Sequence, residues 1–184
     1  MRLLKRLLLV TDAFYMLAGA VIAPIYALFV KDIGGDLLDA SLTFTVYMIT
    51  AGVVVLLLGL WEDKAKHQTK FVIAGYGIGA IGYLGYLFVN SAGSLFIVQA
   101  VLGLSAALKD PAYDALFSNS GGKHLALAWG EWEAVDYIAL GIGAFAGGFI
   151  AQEFGFQALL VIMFAFSVGS FSTSLFLLRY RNKL

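Results

Sequence analysis

Carboxylates and one ammonium stand inside stretches of this sequence that are otherwise apolar, among them Asp12, then Lys109 and Asp110, then Glu131, Glu133 and Asp136. A charge near the middle of a bilayer costs about 2.5–3.5 kcal/mol on insertion scales, so each of these groups calls for a partner or a task. Glu133 and Asp136 are three apart and share a helix face, and Tyr15 follows Asp12 by about one turn. Counting helical rise from the basic ends puts all of them in one third to half of the bilayer, with Asp136 deepest at about 16 Å. Two chemistries fit. Acids crowded in a low dielectric keep at least one proton near neutral pH, which suits groups that bind and release a proton or cation; Asp12, Glu133 and Asp136 are the candidates. Alternatively, Lys109 pairs with one acid as a structural bridge and the others reach toward the interface. One embedded lysine cannot neutralise three acids.

Other site chemistry has little to work with. There is no Gly-x-Ser-x-Gly, no His-Glu-x-x-His and no Walker loop, and there are no cysteines. His67 and His124 lie in polar breaks without ligand spacing, so no metal or other cofactor is expected. The enzymatic reading that remains is an intramembrane hydrolase using Glu133 and Asp136 as an acid pair.

The elements that carry these residues follow from composition. Hydrophobic residues make up 61% and charged residues 13%, about half the charge of an ordinary soluble domain, and mean hydropathy is +0.88. The solvent must be largely lipid. Net charge is zero, so no global field draws in nucleic acid. Apolar runs at about 7–30, 41–61, 71–89, 94–117, 125–151 and 156–178 are each long enough to cross about 30 Å of hydrocarbon. They do not alternate as barrel strands would. The basic-then-apolar start has no convincing cleavage site and reads as the first span. Lys and Arg set the orientation: eleven of the twelve fall on one side, and Lys31 alone on the other. Trp61, Trp129 and Trp132 lie near the same side. Both termini are therefore expected in the cytoplasm, in a cell (inner or plasma) membrane. Gly75, Gly79 and Gly82 share one helix face, as do Gly143 and Gly147; tight packing within one bundle is the plain reading, and a dimer seam the lesser one.

The chain also repeats weakly, with a period of about 87 residues. Pro24-Ile25-Tyr26 matches Pro111-Ala112-Tyr113, and twelve residues before each proline stands a polar group, Asp12 and Gln99. Each copy, at about 7–89 and 94–178, holds three spans. Three is odd, so the second copy must lie inverted, an arrangement common in secondary transporters.

Gly59-Leu60-Trp61-Glu62-Asp63-Lys64 fits the start of a G-x-x-x-D-[RK] signature between the second and third spans. That pattern and place resemble the major facilitator superfamily. Gly103-Leu104-Ser105-Ala106-Ala107 with Asp110-Pro111-Ala112-Tyr113 looks like its fourth helix, and Gly143 to Gly148 with Phe154-Gly155-Phe156 like its fifth helix and turn. The resemblance covers nearly all of residues 1–184, read as a single all-α membrane domain of six helices in a 3+3 inverted repeat. It corresponds to one N-terminal half of a twelve-helix family member. It implies that helices one, two, four and five line the solute path, so that Asp12, Tyr15, Gln99, Glu133 and Asp136 bind solute or coupling ion. It also implies a gating role for Gly59, Asp63 and Lys64, with the Asp63 carboxylate facing a helix N-terminus in the other half. Two features depart from the family pattern: Gln99 stands where proton-coupled members often carry arginine, and Lys66-His67-Gln68 replaces the usual glycine and basic pair.

The reading is a half-size secondary transporter for a small organic solute, ion- or proton-coupled, working as a dimer with a second copy or with a separate half. The alternatives are an isolated N-terminal half of a longer transporter, or a membrane scaffold or regulator that transports nothing. The topology has a direct test. Single cysteines at Ser91 and Gly34 react with an impermeant outside reagent, whereas cysteines at Thr69 and Asn182 do not; the reverse pattern would overturn the orientation and the inverted repeat together.

Overall fold

A computed structural model describes residues 2–62, 68–122 and 124–183, with the side chains of 2, 60–62, 121 and 180–183 left out of the account. The described residues form helices joined by short turns. These are α1 (Arg2–Ala20), a 3-10 turn (Ala23–Ile25), α2 (Tyr26–Asp32), α3 (Leu37–Glu62), α4 (Gln68–Tyr86), α5 (Ala92–Gly121), α6 (Leu125–Ser174) and a closing 3-10 segment (Leu175–Lys183).

Local chemistry sets the breaks. Pro24 lacks the N–H that would continue α1, so the chain tightens into the 3-10 turn before α2 resumes. Gly34 turns the chain at φ 84°, and a reciprocal cap then starts α3. The Asp36 carboxylate accepts from the Asp39 N–H at 2.9 Å and the Asp39 carboxylate from the Asp36 N–H at 3.0 Å. Ser91 and Ser94 cap α5 in the same reciprocal way.

Four stretches among the described residues are long and apolar enough to cross a bilayer: residues 3–32, 37–59, 92–120 and 125–179. The sequence reading expects six, and two physical reasons account for the difference. The expected spans 125–151 and 156–178 both lie on α6, which holds a non-helical Gly155 at φ 79°, ψ 170° and runs on either side of it. The other is α4, whose 19 residues include Lys70, five glycines and three tyrosines that dilute its apolarity. The architecture is all-helical.

α1 packs along α6, α5 lies between α3 and α4, and α4 also touches α6. Small residues make these approaches possible. A Cβ on Gly147 would collide with the Val21 carbonyl, and one on Gly103 would fall on the Tyr47 carbonyl at 2.5 Å. Such overpacking costs about 1–3 kcal/mol where backbone cannot yield. The glycine faces singled out in the sequence all serve contacts inside the bundle: Gly75, Gly79 and Gly82 meet Lys109, Tyr15 and Leu102, while Gly143 meets Ala20.

The interior divides into two apolar clusters. One gathers Leu4, Leu8, Tyr76, Tyr113 and Phe117, and the other Val21, Phe29, Tyr83, Tyr86 and Leu159; Tyr15 packs against both. The outside is as apolar as the inside. Phe145 is 80% exposed and Leu56 73%, a surface that water would not tolerate but lipid does. α3 is the extreme case, with only 6% of its span buried.

Candidate functional site

At the junction of the two apolar clusters lies a buried charge pair. Asp12 is 2% exposed and Lys109 7%. The Tyr76 hydroxyl donates to Asp12 Oδ1 at 2.8 Å, the Trp132 indole N–H to Oδ2 at 2.8 Å, and Lys109 Nζ lies 3.4 Å from Oδ1. One carboxylate on α1 thus collects donors from α4, α5 and α6. Lys109 Nζ also pairs with Asp110 at 2.5 Å, where the carboxylate is about half-exposed. Its ammonium sits 5.0, 5.5 and 5.7 Å from the ring centres of Tyr15, Tyr76 and Tyr113, so aromatic faces supply part of the solvation that water has lost. Gly75 permits this: a Cβ there would meet the Lys109 backbone N at 2.9 Å.

Next to the pair lies a cavity of about 430 Å³ walled by α1, α2, α3, α4 and α5. Tyr15, Tyr26, Phe44, Tyr47, Tyr83 and Tyr86 form its aromatic lining, with Gln99 the one amide. Gln99 Nε2 donates to the Tyr26 hydroxyl at 2.7 Å and the Tyr86 hydroxyl at 3.0 Å, and Tyr26 shares a 2.7 Å hydrogen bond with Thr43. The Tyr15 hydroxyl bonds Ser105, whose own hydroxyl donates to the Gly75 carbonyl at 2.7 Å. Tyr15 joins the two features: its ring lies under Lys109 and also lines the cavity.

Of the residues singled out in the sequence, the structure brings Asp12, Tyr15 and Gln99 into this continuous system. Glu133 is exposed and Asp136 partly buried on α6, one residue and one turn beyond Trp132. Neither forms a hydrogen bond or ion pair among the described residues, whereas Glu131 bridges to Lys5 at 2.5 Å. Gly59 sits exposed, with open space where a Cβ would go; Asp63 and Lys64 lie outside the described residues. The sequence reading missed Tyr76, Trp132, Tyr26, Tyr47, Tyr83 and Tyr86. A signal for some of them was present: Tyr76, Tyr83 and Tyr86 recur at steps of seven and three, which keeps their hydroxyls on one face of an otherwise apolar helix.

The charge pair yields a quantitative expectation. Asp12→Ala strips Tyr76, Trp132 and Lys109 of their shared acceptor and lowers unfolding free energy in micelles by about 3–5 kcal/mol. The Asp12→Leu/Lys109→Met double variant is less destabilised than the two single changes summed. Additivity within about 0.5 kcal/mol would mean that the two groups do not interact.

Comparison with known proteins assigns the family. The sequence profile of the Major Facilitator Superfamily matches residues 8–183. An "Uncharacterized MFS-type transporter YitZ" from Bacillus subtilis is 26% identical over 166 residues, which cover 88% of this chain and 97% of that protein. An "Uncharacterized MFS-type transporter MJ1560" from Methanocaldococcus jannaschii is 25% identical over 149 residues, 80% of this chain but only 38% of the longer relative. With this profile match along nearly its whole length and an all-helical apolar build, the chain belongs to the Major Facilitator Superfamily and is a multi-pass membrane transporter rather than an enzyme.

Proposed function

We propose that this chain is one half of a secondary carrier that moves a small organic solute, and that a second copy, or a separately encoded half, completes it. The observation that carries this reading is the aromatic cavity of about 430 Å³. Exposed Phe44 and Met48 belong to its wall on the weakly buried α3, so the cavity gives onto a flank that a second bundle would close. Two-fold self-pairing is the commonest way to complete such a surface. The Bacillus relative, matched over 97% of its length, has a similar size. The archaeal match, confined to 38% of its protein, favours a second reading in which the chain corresponds to part of a longer transporter.

In the proposed unit the spans number six, counting α1 with α2 as one and α6 as two about Gly155, with both termini in the cytoplasm of a cell membrane. They form two inverted copies, 7–89 and 94–178. A cross-exchange of partners supports the repeat. Gln99 of the second copy bonds Tyr26 of the first. Asp12 of the first pairs with Lys109, which lies over Tyr113 of the second. Tyr26 and Tyr113 hold equivalent places after the matched prolines. The prolines themselves behave differently, since Pro24 interrupts a helix and Pro111 lies within one. Gly59, Asp63 and Lys64 are assigned to gating against the second half.

Coupling is assigned to Asp136 and Glu133, with Asp12 contributing. The support is the contrast in their surroundings. Asp12 is held by three donors, while Asp136 and Glu133 have none among the described residues. Asp136→Asn should abolish gradient-driven uptake or efflux in proteoliposomes while leaving folding and passive exchange intact, and Glu133→Gln should do so more weakly. Wild-type transport by Asp136→Asn with unchanged pH dependence would make the acid pair structural.

A further inference from the structure

The chemistry left available inside the cavity is narrow. None of its lining residues is charged. Part of the hydrogen-bonding capacity is committed within the wall: both Gln99 N–H groups to Tyr26 and Tyr86, Tyr26 to Thr43, and Tyr15 to Ser105, while the Tyr47 and Tyr83 hydroxyls form no hydrogen bond among the described residues. A solute there meets phenol hydroxyls and aromatic carbon but no ionic partner in the wall itself. Most of the wall is aromatic, from Tyr15, Tyr26, Phe44, Tyr47, Tyr83 and Tyr86. Ring faces carry the negative end of the aromatic quadrupole and attract cations. The Tyr15 ring already has an ammonium 5.0 Å from its centre.

The charges nearby act in the same sense. Behind Tyr15 stand two carboxylates, Asp12 and Asp110, against the single ammonium of Lys109. Asp114 follows Asp110 by one turn, without an ion pair among the described residues. Lys5 is bridged to Glu131. The surroundings of the cavity therefore carry excess negative charge in a low dielectric. Such a field raises the local concentration of cations and repels anions. The volume, about 430 Å³, suits a single drug-sized molecule.

We infer that the solute of this cavity is a bulky aromatic organic cation, held by tyrosine faces and by the uncompensated carboxylate charge beside Tyr15. This rests on the reading of the cavity as the carrier's solute site and names the class of molecule it takes.

Tetraphenylphosphonium and tetraphenylborate, alike in shape and opposite in charge, provide the test. Binding of each to the protein in lipid discs is measured by equilibrium dialysis, with empty discs subtracting partition into lipid. The phosphonium should bind saturably, at least about tenfold tighter than the borate. Tyr47→Leu should weaken it about tenfold. Asp110→Asn, whose carboxylate is 53% exposed, should weaken it severalfold in protein that remains folded, Lys109 keeping Asp12 as its partner. Borate binding as tight as phosphonium binding, or no binding of either, overturns the assigned class. A loss of driven transport in Asp136→Asn in that same protein would still support the carrier. Phosphonium binding indifferent to Tyr47→Leu overturns the cavity as its place.

Discussion

A carboxylate enclosed by four helices cannot be left to itself. Asp12 sits at the boundary between the two apolar clusters, and desolvating it alone would cost several kcal/mol. The fold answers with a phenol from α4, an ammonium from α5 and an indole from α6. Each of those helices must hold its register for the three donors to converge. Gly75 must stay bare for Lys109 to pass, and Ser105 must tie α5 to the α4 backbone. In a membrane, where burial of apolar surface gives helices little reason to associate, such a hub together with glycine contacts is what makes one packing better than its neighbours.

The same hub shapes the cavity. Tyr15 stands one turn from Asp12 and turns its ring between Lys109 and the aromatic lining. That ring is the side chain the cavity and the charge pair have in common. Lys109 has two carboxylates within reach, one buried and one half-exposed. The bond to Asp12 ties α5 to α1, and Trp132 ties α6 to the same carboxylate. Asp136 and Glu133 stand apart from it on α6, Glu133 exposed and Asp136 partly buried.

Much of this was legible from residue types alone. Apolar runs and the placement of Lys and Arg announce a helical membrane protein, and the order of Gly59 to Lys64, Gly103 to Tyr113 and Gly143 to Phe156 announces its family. Asp12, Tyr15 and Gln99 stood out because polar groups are rare in such runs. Their partners did not. Tyr76 and Trp132 look like ordinary residues of an apolar helix until tertiary packing turns a hydroxyl and an N–H toward one carboxylate. Periodicity also could not separate the helices cleanly. The break after Gln152 and Glu153 coincides with Gly155, where α6 turns non-helical but continues on either side, and the glycines of α4 that let it pack closely are what lower its apolarity. The structure places Lys109 against Asp12 and Asp110, the bridge that the sequence left as one of two options.

The central claim is that a single bundle presents an incomplete solute path and that a second bundle closes it. The mass of the protein particle in a lipid disc tests this most directly. The account predicts a protein mass twice that of the 19.8 kDa chain when it is expressed alone, or that chain plus a second half of comparable size when it is isolated from its source. A strictly monomeric particle that nonetheless transports would contradict it.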